Sequence, residues 1–256
     1  MKFPWQSIHP IDAILFDCDG TLSRIEGIDE LAKYHQVTDI VQRLTRDAMG
    51  NSGMNPTIYA ERLRLTQPTQ TEVETLGEKY FTEMTPDVRE IIAILQRLQK
   101  AVFIVSAGLF PSVLTFANHL KIPKNNVFAV NVTFDKNGQY QDFDHESPMV
   151  YKNGKQKIVA LIKKQYPHIA FVGDGLSDYD VYSDVTRFIG YGGAFYRENI
   201  AKHCEFYIKE SRMGALLPLV LTENEYHTLT DNEKNLYQTG IEAIQQHKVE
   251  IQLHKG

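Results

Sequence analysis

The sequence predicts an α/β protein in which a doubly wound, mainly parallel sheet carries an inserted helical cap. Short apolar runs of the kind that form buried parallel strands recur at residues 12–16, 101–105, 127–130 and 169–172. Amphipathic helical segments lie between them, and such alternation is typical of a parallel sheet covered by helices on both faces. Residues 24–84 interrupt the alternation, because they contain helical periodicity and no convincing strand.

The individual elements follow from the spacing of apolar residues. The first run, 12–16, ends at a turn that contains glycine, as a buried parallel strand does. Two helices that cover the sheet are predicted in 86–99 and 157–162, where apolar residues recur three and four positions apart. The residues that mark these two helices are Val88, Ile91, Ile92, Leu95 and Leu98 in the first, and Ile158, Leu161 and Ile162 in the second.

The stretch 24–84 is longer than one crossover helix requires, so we interpret it as an inserted cap. One helix in it is marked by apolar residues from Val37 to Ala48, and a second is indicated from Ile58 to Leu65. Further along, Asn137-Gly138 lies between two alternating segments and predicts a hairpin, because this pair tolerates positive φ at both central positions.

From about residue 212 the sequence becomes polar and helical, and it contains no chemical motif. We interpret this segment as packing or surface helix. The predicted organisation is therefore a catalytic core, a helical cap and a helical C-terminal extension. The core comprises residues 1–23 and 85–212, the cap 24–84, and the extension 213–256.

Composition excludes several classes of protein. The 256 residues carry a net charge of −5, and the basic residues form no long block, which argues against a nucleic-acid-coating protein. No apolar run reaches 18 residues, so we expect no membrane-spanning helix, and the first residues do not resemble a signal peptide. Two cysteines cannot build a disulfide framework, which fits a reducing cytoplasm.

The strongest chemical signal is the pair Asp17 and Asp19 in Asp-Cys-Asp-Gly-Thr, at the predicted carboxyl end of the first strand. Open α/β sheets bind ligands at that edge. Two carboxylates held against a tight turn can present one oxygen to a metal or an electrophile and another to a leaving group. The alternative is a solvated turn, since Asp and Gly are common in turns.

A second acidic cluster, Asp174 and Asp178, follows the apolar run 169–172 and opens a helix. Asp178 alone could be an ordinary first-turn residue that the helix dipole favours. Two acid-rich strand ends together form a site of hard oxygen ligands, which Mg²⁺ prefers.

Two further residues are candidate phosphate ligands. Ser106 follows the run 101–105, where a hydroxyl and adjacent backbone N–H groups can hold phosphate oxygens, although a lone serine is more often a cap. Lys155 precedes an apolar helical segment, and an ammonium near a first turn opposes the helix dipole unless it has a partner such as phosphate. Lys152 and Lys157 are alternatives to Lys155.

In this order and with these residue types, the four motifs resemble those of the haloacid dehalogenase (HAD) superfamily of phosphohydrolases. A cap inserted just after the first motif fits the same resemblance. Within the superfamily the chain is similar to phosphoserine phosphatases over roughly residues 11–210. The segments that carry this similarity are Glu26 to Ala32, Ala48-Met49-Gly50, Glu61-Arg62-Leu63, Asn125 to Ala129, Asn153-Gly154-Lys155 and Gly190 to Gly193.

The resemblance implies an HAD-like Rossmannoid core and a role for each matching residue. Asp17 is expected to be the nucleophile that forms an aspartyl-phosphate, and Asp19 the general acid and then the base. Ser106 and Lys155 are expected to hold the phosphoryl group. The Mg²⁺ ligands implied are Asp17, the main-chain carbonyl of Asp19, and Asp174, with support from Asp178. The substrate contacts implied are Glu26 for an ammonium, Arg62 for a carboxylate, Met49 as an apolar wall, and Ala107.

The implied activity is Mg²⁺-dependent hydrolysis of a small phosphorylated metabolite, foremost phosphoserine in L-serine biosynthesis, without nucleic acid or membrane as a partner. Three departures bear on the substrate: Ser106-Ala107-Gly108 has alanine where glycine is usual, the arginine usual in that motif is absent, and Asn55 stands near a usual aromatic position. Three alternatives stay open: phosphotransfer to an acceptor alcohol such as homoserine, hydrolysis of another small phosphate ester, and a non-enzymatic phosphometabolite-binding regulator.

Overall fold

The computed structural model describes residues 3, 5–47 and 55–252. Among these residues, seven strands form the main sheet in the order β3-β2-β1-β6-β7-β8-β9, and two more form a separate hairpin. The main-sheet strands are β1 (Ala13–Phe16), β2 (Ala101–Leu109), β3 (Val127–Val130), β6 (Ile169–Gly173), β7 (Arg187–Tyr191), β8 (Phe206–Ile208) and β9 (Val249–Ile251); the hairpin strands are β4 (Val132–Phe134) and β5 (Tyr140–Phe143). Every neighbouring pair in the main sheet is parallel except β8 and β9.

The order of the strands reverses direction beside β1. The chain runs outward from β1 through β2 to β3, returns to β6 on the other side of β1, and runs outward again through β7 to β8. Phe16, the last residue of β1, is level with Ile104 of β2 and Val172 of β6. In sheets of this type ligands bind at such a switch point, beyond the carboxyl ends of the strands. The predicted fold class is confirmed.

All four predicted runs are strands, but β2 continues to Leu109 and its register with β3 shifts between Val105 and Leu109. Ser106 therefore lies within the irregular part of β2, not after it. Such irregularities re-aim side chains and are common beside active sites.

Four helices follow β1 in the described part of the region predicted as the cap. They are α1 (Gly27–Tyr34), α2 (Thr38–Asp47), α3 (Pro56–Thr66) and α4 (Gln70–Thr82). The sequence indicated α2 and α3 only. The start of α3 is fixed by Asn55, whose side chain accepts a hydrogen bond from the backbone of Ile58, and α4 starts with a capping box between Thr69 and Glu72.

The remaining helices of the core pack against the sheet in one continuous apolar core. They are α5 (Val88–Arg97), α6 (Phe110–His119), α7 (Gly154–Lys163), α8 (Leu176–Tyr179) and α9 (Glu198–Ala201). The predicted helix at 157–162 starts earlier than its apolar residues indicate, so Lys155 belongs to the first turn of α7. No helix among the described residues is long and apolar enough to cross a membrane.

The predicted hairpin is present, but its turn differs from the expected one. Gly138 has a φ of 77°, whereas Asn137 is not in the left-handed region. Five residues separate the strands, so the chain turns through a hydrogen bond from the Gly138 amide to the Asp135 carbonyl, and the Asp135 side chain accepts from Asn137 and Gln139. A short turn with one glycine in the left-handed region needs no second positive φ.

The C-terminal segment is not helical throughout. It contains α10 (Leu216–Val220), α11 (Glu223–His227) and α12 (Asp231–Gln245), followed by β9, which closes one edge of the main sheet. All five residues of α10 are buried, so this helix belongs to the hydrophobic core. Three-residue strands such as β9 leave no periodic pattern from which they could be predicted.

Candidate active site

The candidate site lies beyond the carboxyl ends of β1, β2 and β6, beneath the helices that follow β1. Asp17 comes directly after β1, Ser106 lies in the irregular end of β2, and Asp174 comes directly after β6. All three are at least nine-tenths buried. The parallel register therefore assembles the polar residues that the sequence singled out separately.

Asp17 is held in place by both of its oxygens. Its Oδ1 accepts a hydrogen bond from the Cys18 amide at 2.7 Å, and its Oδ2 lies 3.0 Å from the Lys155 ammonium. Burial raises the pKa of Asp17 well above its usual range, and the charge of Asp178 raises it further, although Lys155 lowers it. A carboxylate that must be ionised to attack an electrophile needs additional positive charge at this position.

Lys155 lies between Asp17 and Asp178 and forms ion pairs with both. Burial by itself lowers the pKa of Lys155, but the two carboxylates raise it by more, so the ammonium stays charged. The alternatives Lys152 and Lys157 are exposed at the surface. Of these three lysines, Lys155 alone reaches the site.

Three buried carboxylates, those of Asp17, Asp174 and Asp178, each place an oxygen within 4.8 Å of the others. Among the described residues, Oδ1 of Asp174 has no hydrogen-bond partner, although it is buried. Burial raises the pKa of Asp174 to about 6 in spite of the neighbouring Arg197. Unsatisfied buried oxygen and excess negative charge are what a divalent cation compensates, so the group fits a divalent metal site.

Asp178 is fixed by the protein itself. Its Oδ1 pairs with Lys155, and its Oδ2 accepts a hydrogen bond from the Gly175 amide at 3.0 Å. This arrangement requires a glycine at 173, because a Cβ there would lie 2.3 Å from Cγ of Asp178. Gly173, the last residue of β6, therefore leaves room for the Asp178 carboxylate.

The two oxygens of Asp19 have different surroundings. Oδ1 accepts hydrogen bonds from the Gly27 amide at 2.6 Å and from the Tyr80 hydroxyl at 2.7 Å. Oδ2 lies 3.3 Å from the Ser106 hydroxyl. Burial raises the pKa of Asp19, and these hydrogen bonds lower it in part. Asp19 thus presents one oxygen toward the site while the other is occupied.

Ser106 and Ala107 lie opposite Asp19. The Ser106 hydroxyl oxygen accepts a hydrogen bond from the Gly108 amide at 2.9 Å, and the Ala107 carbonyl accepts one from the Tyr59 hydroxyl at 3.0 Å. Alanine is accommodated at 107, whereas a Cβ at Gly108 would lie 3.1 Å from both Oδ2 of Asp19 and Oγ of Ser106.

Glu26 and Arg62 line the same pocket from the other side. Glu26 precedes α1, and its pKa is raised well above its usual range, first by burial and then by the charges of Asp19 and Asp174. Arg62 is buried in α3, and burial lowers its pKa. Its guanidinium lies 5.5 Å from the centre of the Tyr59 ring. The predicted contact Met49 falls outside the described residues.

Three residues of the site were not predicted. Arg197, in the loop after β7, donates to Oδ2 of Asp174 through Nε at 3.1 Å and Nη2 at 2.8 Å, and its Nη2 lies 3.6 Å from Oε1 of Glu26. Tyr59 and Tyr80 enter the site from α3 and α4. Tyr59 lies one turn beyond Asn55, so α3 supplies an aromatic ring although Asn55 itself serves as a cap.

The pocket between these groups is small and largely enclosed, with a cavity of about 60 Å³. Besides the charged and polar residues described above, its lining is mostly apolar or aromatic. These lining residues are Ile28, Tyr59, Leu63, Leu76, Leu109, Met149 and Tyr151. The Asp17 carboxylate lies beside the Lys155 ammonium, and the Asp19 carboxylate follows two residues later. This arrangement can support phosphoryl transfer from a small substrate to Asp17 and then to water.

Comparison with known proteins agrees with this geometry. The haloacid dehalogenase-like hydrolase family matches residues 11–181. Phosphoserine phosphatase of Bos taurus is 37% identical over 209 residues, which span 80% of this chain and 93% of the bovine one. The enzyme of Homo sapiens is 37% identical over 204 residues, 79% of this chain and 91% of the human one.

The fold comparison extends further. The crystal structure of a phosphoserine phosphohydrolase-like protein from Francisella tularensis superimposes with a TM-score of 0.71 at 22% identity, covering 78% of this chain and 96% of that one. At this identity the likeness concerns the fold. Together with the family match over most of the core, these relationships show that the chain belongs to the haloacid dehalogenase-like hydrolases and, within them, to the group of phosphoserine phosphatases.

Proposed function

We propose that the protein is a Mg²⁺-dependent phosphomonoesterase that hydrolyses phosphoserine through an aspartyl-phosphate on Asp17. The observation that carries the proposal is the buried constellation of Asp17, Lys155 and Asp19 in one small pocket that Glu26 and Arg62 also line. The curated relatives named phosphoserine phosphatase support the same substrate.

In the first step a carboxylate oxygen of Asp17 attacks phosphorus, and the bond from phosphorus to the serine oxygen breaks. Asp19 gives its proton to that leaving oxygen. In the second step Asp19 takes a proton from water as the water oxygen attacks phosphorus, and the bond to Asp17 breaks, which releases phosphate. Dividing hydrolysis into two displacements is ordinary covalent catalysis.

Positive charge is the other requirement, because an anionic nucleophile approaches an anionic phosphate. Lys155 and Ser106 would hold the phosphoryl oxygens, and Lys155 already faces Asp17 at 3.0 Å. The ligands of Mg²⁺ would be Asp17, Asp174 and the main-chain carbonyl of Asp19, with Asp178 in support. When bound, the ion supplies charge compensation and orients the phosphoryl group.

The amino-acid end of the substrate would lie against Glu26 and Arg62. Phosphoserine has one ammonium and one carboxylate, and these two side chains offer the matching charges. A planar guanidinium can bind a carboxylate with two parallel hydrogen bonds. The small, largely enclosed cavity favours a free metabolite over a phosphorylated side chain of a protein.

With this substrate the product is L-serine, which places the reaction at the end of serine biosynthesis. Cytoplasm remains the proposed location, and the buried, unpaired thiols of Cys18 and Cys204 support a reducing compartment.

Phosphate release from a panel of phosphorylated metabolites tests the proposal. We expect the full chain to show its highest kcat/KM on phosphoserine, to lose activity with a chelator, and to regain it with Mg²⁺. Adding homoserine and analysing the products distinguishes hydrolysis from phosphotransfer. Preference for an ester without an amino-acid group, or transfer of most phosphate to homoserine, would overturn the proposal.

A further inference from the structure

Tyr80 contacts Asp19 in the site, and the proposed reaction assigns it no part so far. It lies on α4, its side chain is fully buried, and its hydroxyl donates a hydrogen bond to Oδ1 of Asp19 at 2.7 Å. The Gly27 amide donates to the same oxygen at 2.6 Å. Both donors therefore act on one oxygen of the carboxylate that exchanges protons in the proposed reaction.

The consequence concerns which oxygen can carry the proton. An oxygen that already accepts two hydrogen bonds has no lone pair left in a favourable direction. Oδ2 has no such pair of donors; its neighbour is the Ser106 hydroxyl at 3.3 Å, on the side where the phosphoryl group would lie. The arrangement directs proton transfer to Oδ2 and fixes the plane of the Asp19 carboxylate.

The Tyr80 hydroxyl is itself fixed by packing. Its ring lies 5.9 Å from the ring of Phe116 on α6, and the two helices approach so closely that a Cβ at Gly77 would lie 2.6 Å from Cβ of Thr115. A Cβ at Gly27 would lie 2.0 Å from the Tyr80 hydroxyl, so glycine is required for this approach. Such preorganised donors act without rearrangement during the reaction.

We propose that Tyr80 is a positioning residue for the acid–base step: by occupying Oδ1 of Asp19, it leaves Oδ2 to protonate the leaving alkoxide and then to deprotonate water. This inference rests on the proposed function, because it assumes phosphoryl transfer to Asp17. In the first step the proton moves from Oδ2 to the leaving oxygen as that oxygen separates from phosphorus, and in the second a water proton returns to Oδ2.

Tyr80→Phe tests the inference with two esters that differ in their need for an acid. The serine alkoxide needs a proton to leave, whereas p-nitrophenolate is stable and leaves without one. We expect kcat/KM for phosphoserine to fall about 10-fold, as for the loss of one hydrogen bond to a charged group. We expect kcat/KM for p-nitrophenyl phosphate, which reports the steps up to the phosphoenzyme, to stay within about 2-fold.

Tyr191→Phe is the matched control, since Tyr191 is also fully buried and its hydroxyl donates to a backbone carbonyl, that of Ser211, away from the site. It should leave both rates unchanged. Equal losses on both esters in Tyr80→Phe would overturn the inference in favour of a packing role, and unchanged rates on both would overturn it as well.

An error in the proposed substrate would give a different result from an error in the role of Tyr80. If the unmodified protein does not hydrolyse phosphoserine, the proposed function fails, and the same comparison is made with the best alkyl phosphate of the panel against p-nitrophenyl phosphate. A selective loss on the alkyl ester supports the role of Tyr80, and an equal loss contradicts it.

Discussion

Replacing Lys155 with methionine tests how far the site depends on one buried positive charge. Lys155 is 4% exposed, and its partners Asp17 and Asp178 are 4% and 0% exposed. Methionine keeps most of the volume of the side chain and removes the charge. The two carboxylates are then left in a buried environment without their ammonium partner.

Removing one member of a buried ion pair costs about 3–5 kcal/mol, because the other member stays desolvated. With an m-value of about 3 kcal/mol/M, the urea midpoint should fall by about 1–2 M. The rate on phosphoserine should fall about 10²–10³-fold, as for other preorganised charge-stabilising groups. Unfolding is followed by circular dichroism in the presence of a chelator, and rates are measured with saturating Mg²⁺.

Lys157→Met is the matched control, because Lys157 lies in the same helix and is exposed. It should change neither quantity. In the double variant Asp17→Asn with Lys155→Met, neutralising one carboxylate should recover about 1–3 kcal/mol of the loss. An unchanged midpoint and rate in Lys155→Met would refute the assignment of Lys155 as the compensating charge.

Three further predictions concern the metal ligands and the substrate. The pKa of Asp174 is raised to about 6, so without metal this carboxyl destabilises the folded protein increasingly as pH rises from about 4 to 6. Asp174→Asn should flatten this part of the pH dependence of thermal unfolding and abolish the stabilisation by Mg²⁺, and an unchanged response to Mg²⁺ would contradict the assignment. Arg62→Lys should lower kcat/KM on phosphoserine about 10-fold or more, with little effect on p-nitrophenyl phosphate, because lysine cannot bind a carboxylate with two parallel hydrogen bonds; equal losses would point to folding instead. Gly173→Ala should displace Asp178 and lower activity with both substrates, since the new Cβ would lie 2.3 Å from Cγ of Asp178; a fully active variant would show that the position of Asp178 is not critical.

The sequence predicted those strands whose burial in the fold shows as a local run of apolar residues. The central strands β1 and β6 are fully buried, so each is a continuous apolar run that ends at an acidic residue. β7 starts with Arg187 and contains Gly190, and β8 and β9 have three residues each, so no comparable run marks them. Their place in the sheet is decided by pairing with neighbours, which a single sequence does not display.

The same distinction holds for the site. Asp17 and Asp174 come directly after β1 and β6, and Asp19 lies two residues beyond Asp17, so the sheet itself brings them together. Tyr80 depends on the packing of α4 against α6, and a tyrosine on an amphipathic helix is indistinguishable in sequence from a core residue. Arg197 reaches Asp174 from a loop whose path follows from the whole fold. The roles assigned to the predicted residues stay predictions until they are measured.

The central claim is that Asp17 carries the phosphoryl group during turnover. Mixing the protein with phosphoserine labelled with ³²P and quenching in acid within milliseconds should trap radioactivity on the protein. Borohydride reduction of the quenched sample should then convert the phosphorylated aspartate to homoserine, and mass spectrometry should locate it at position 17. Label that is absent throughout turnover, that lies at another residue, or that persists in Asp17→Asn would contradict the account.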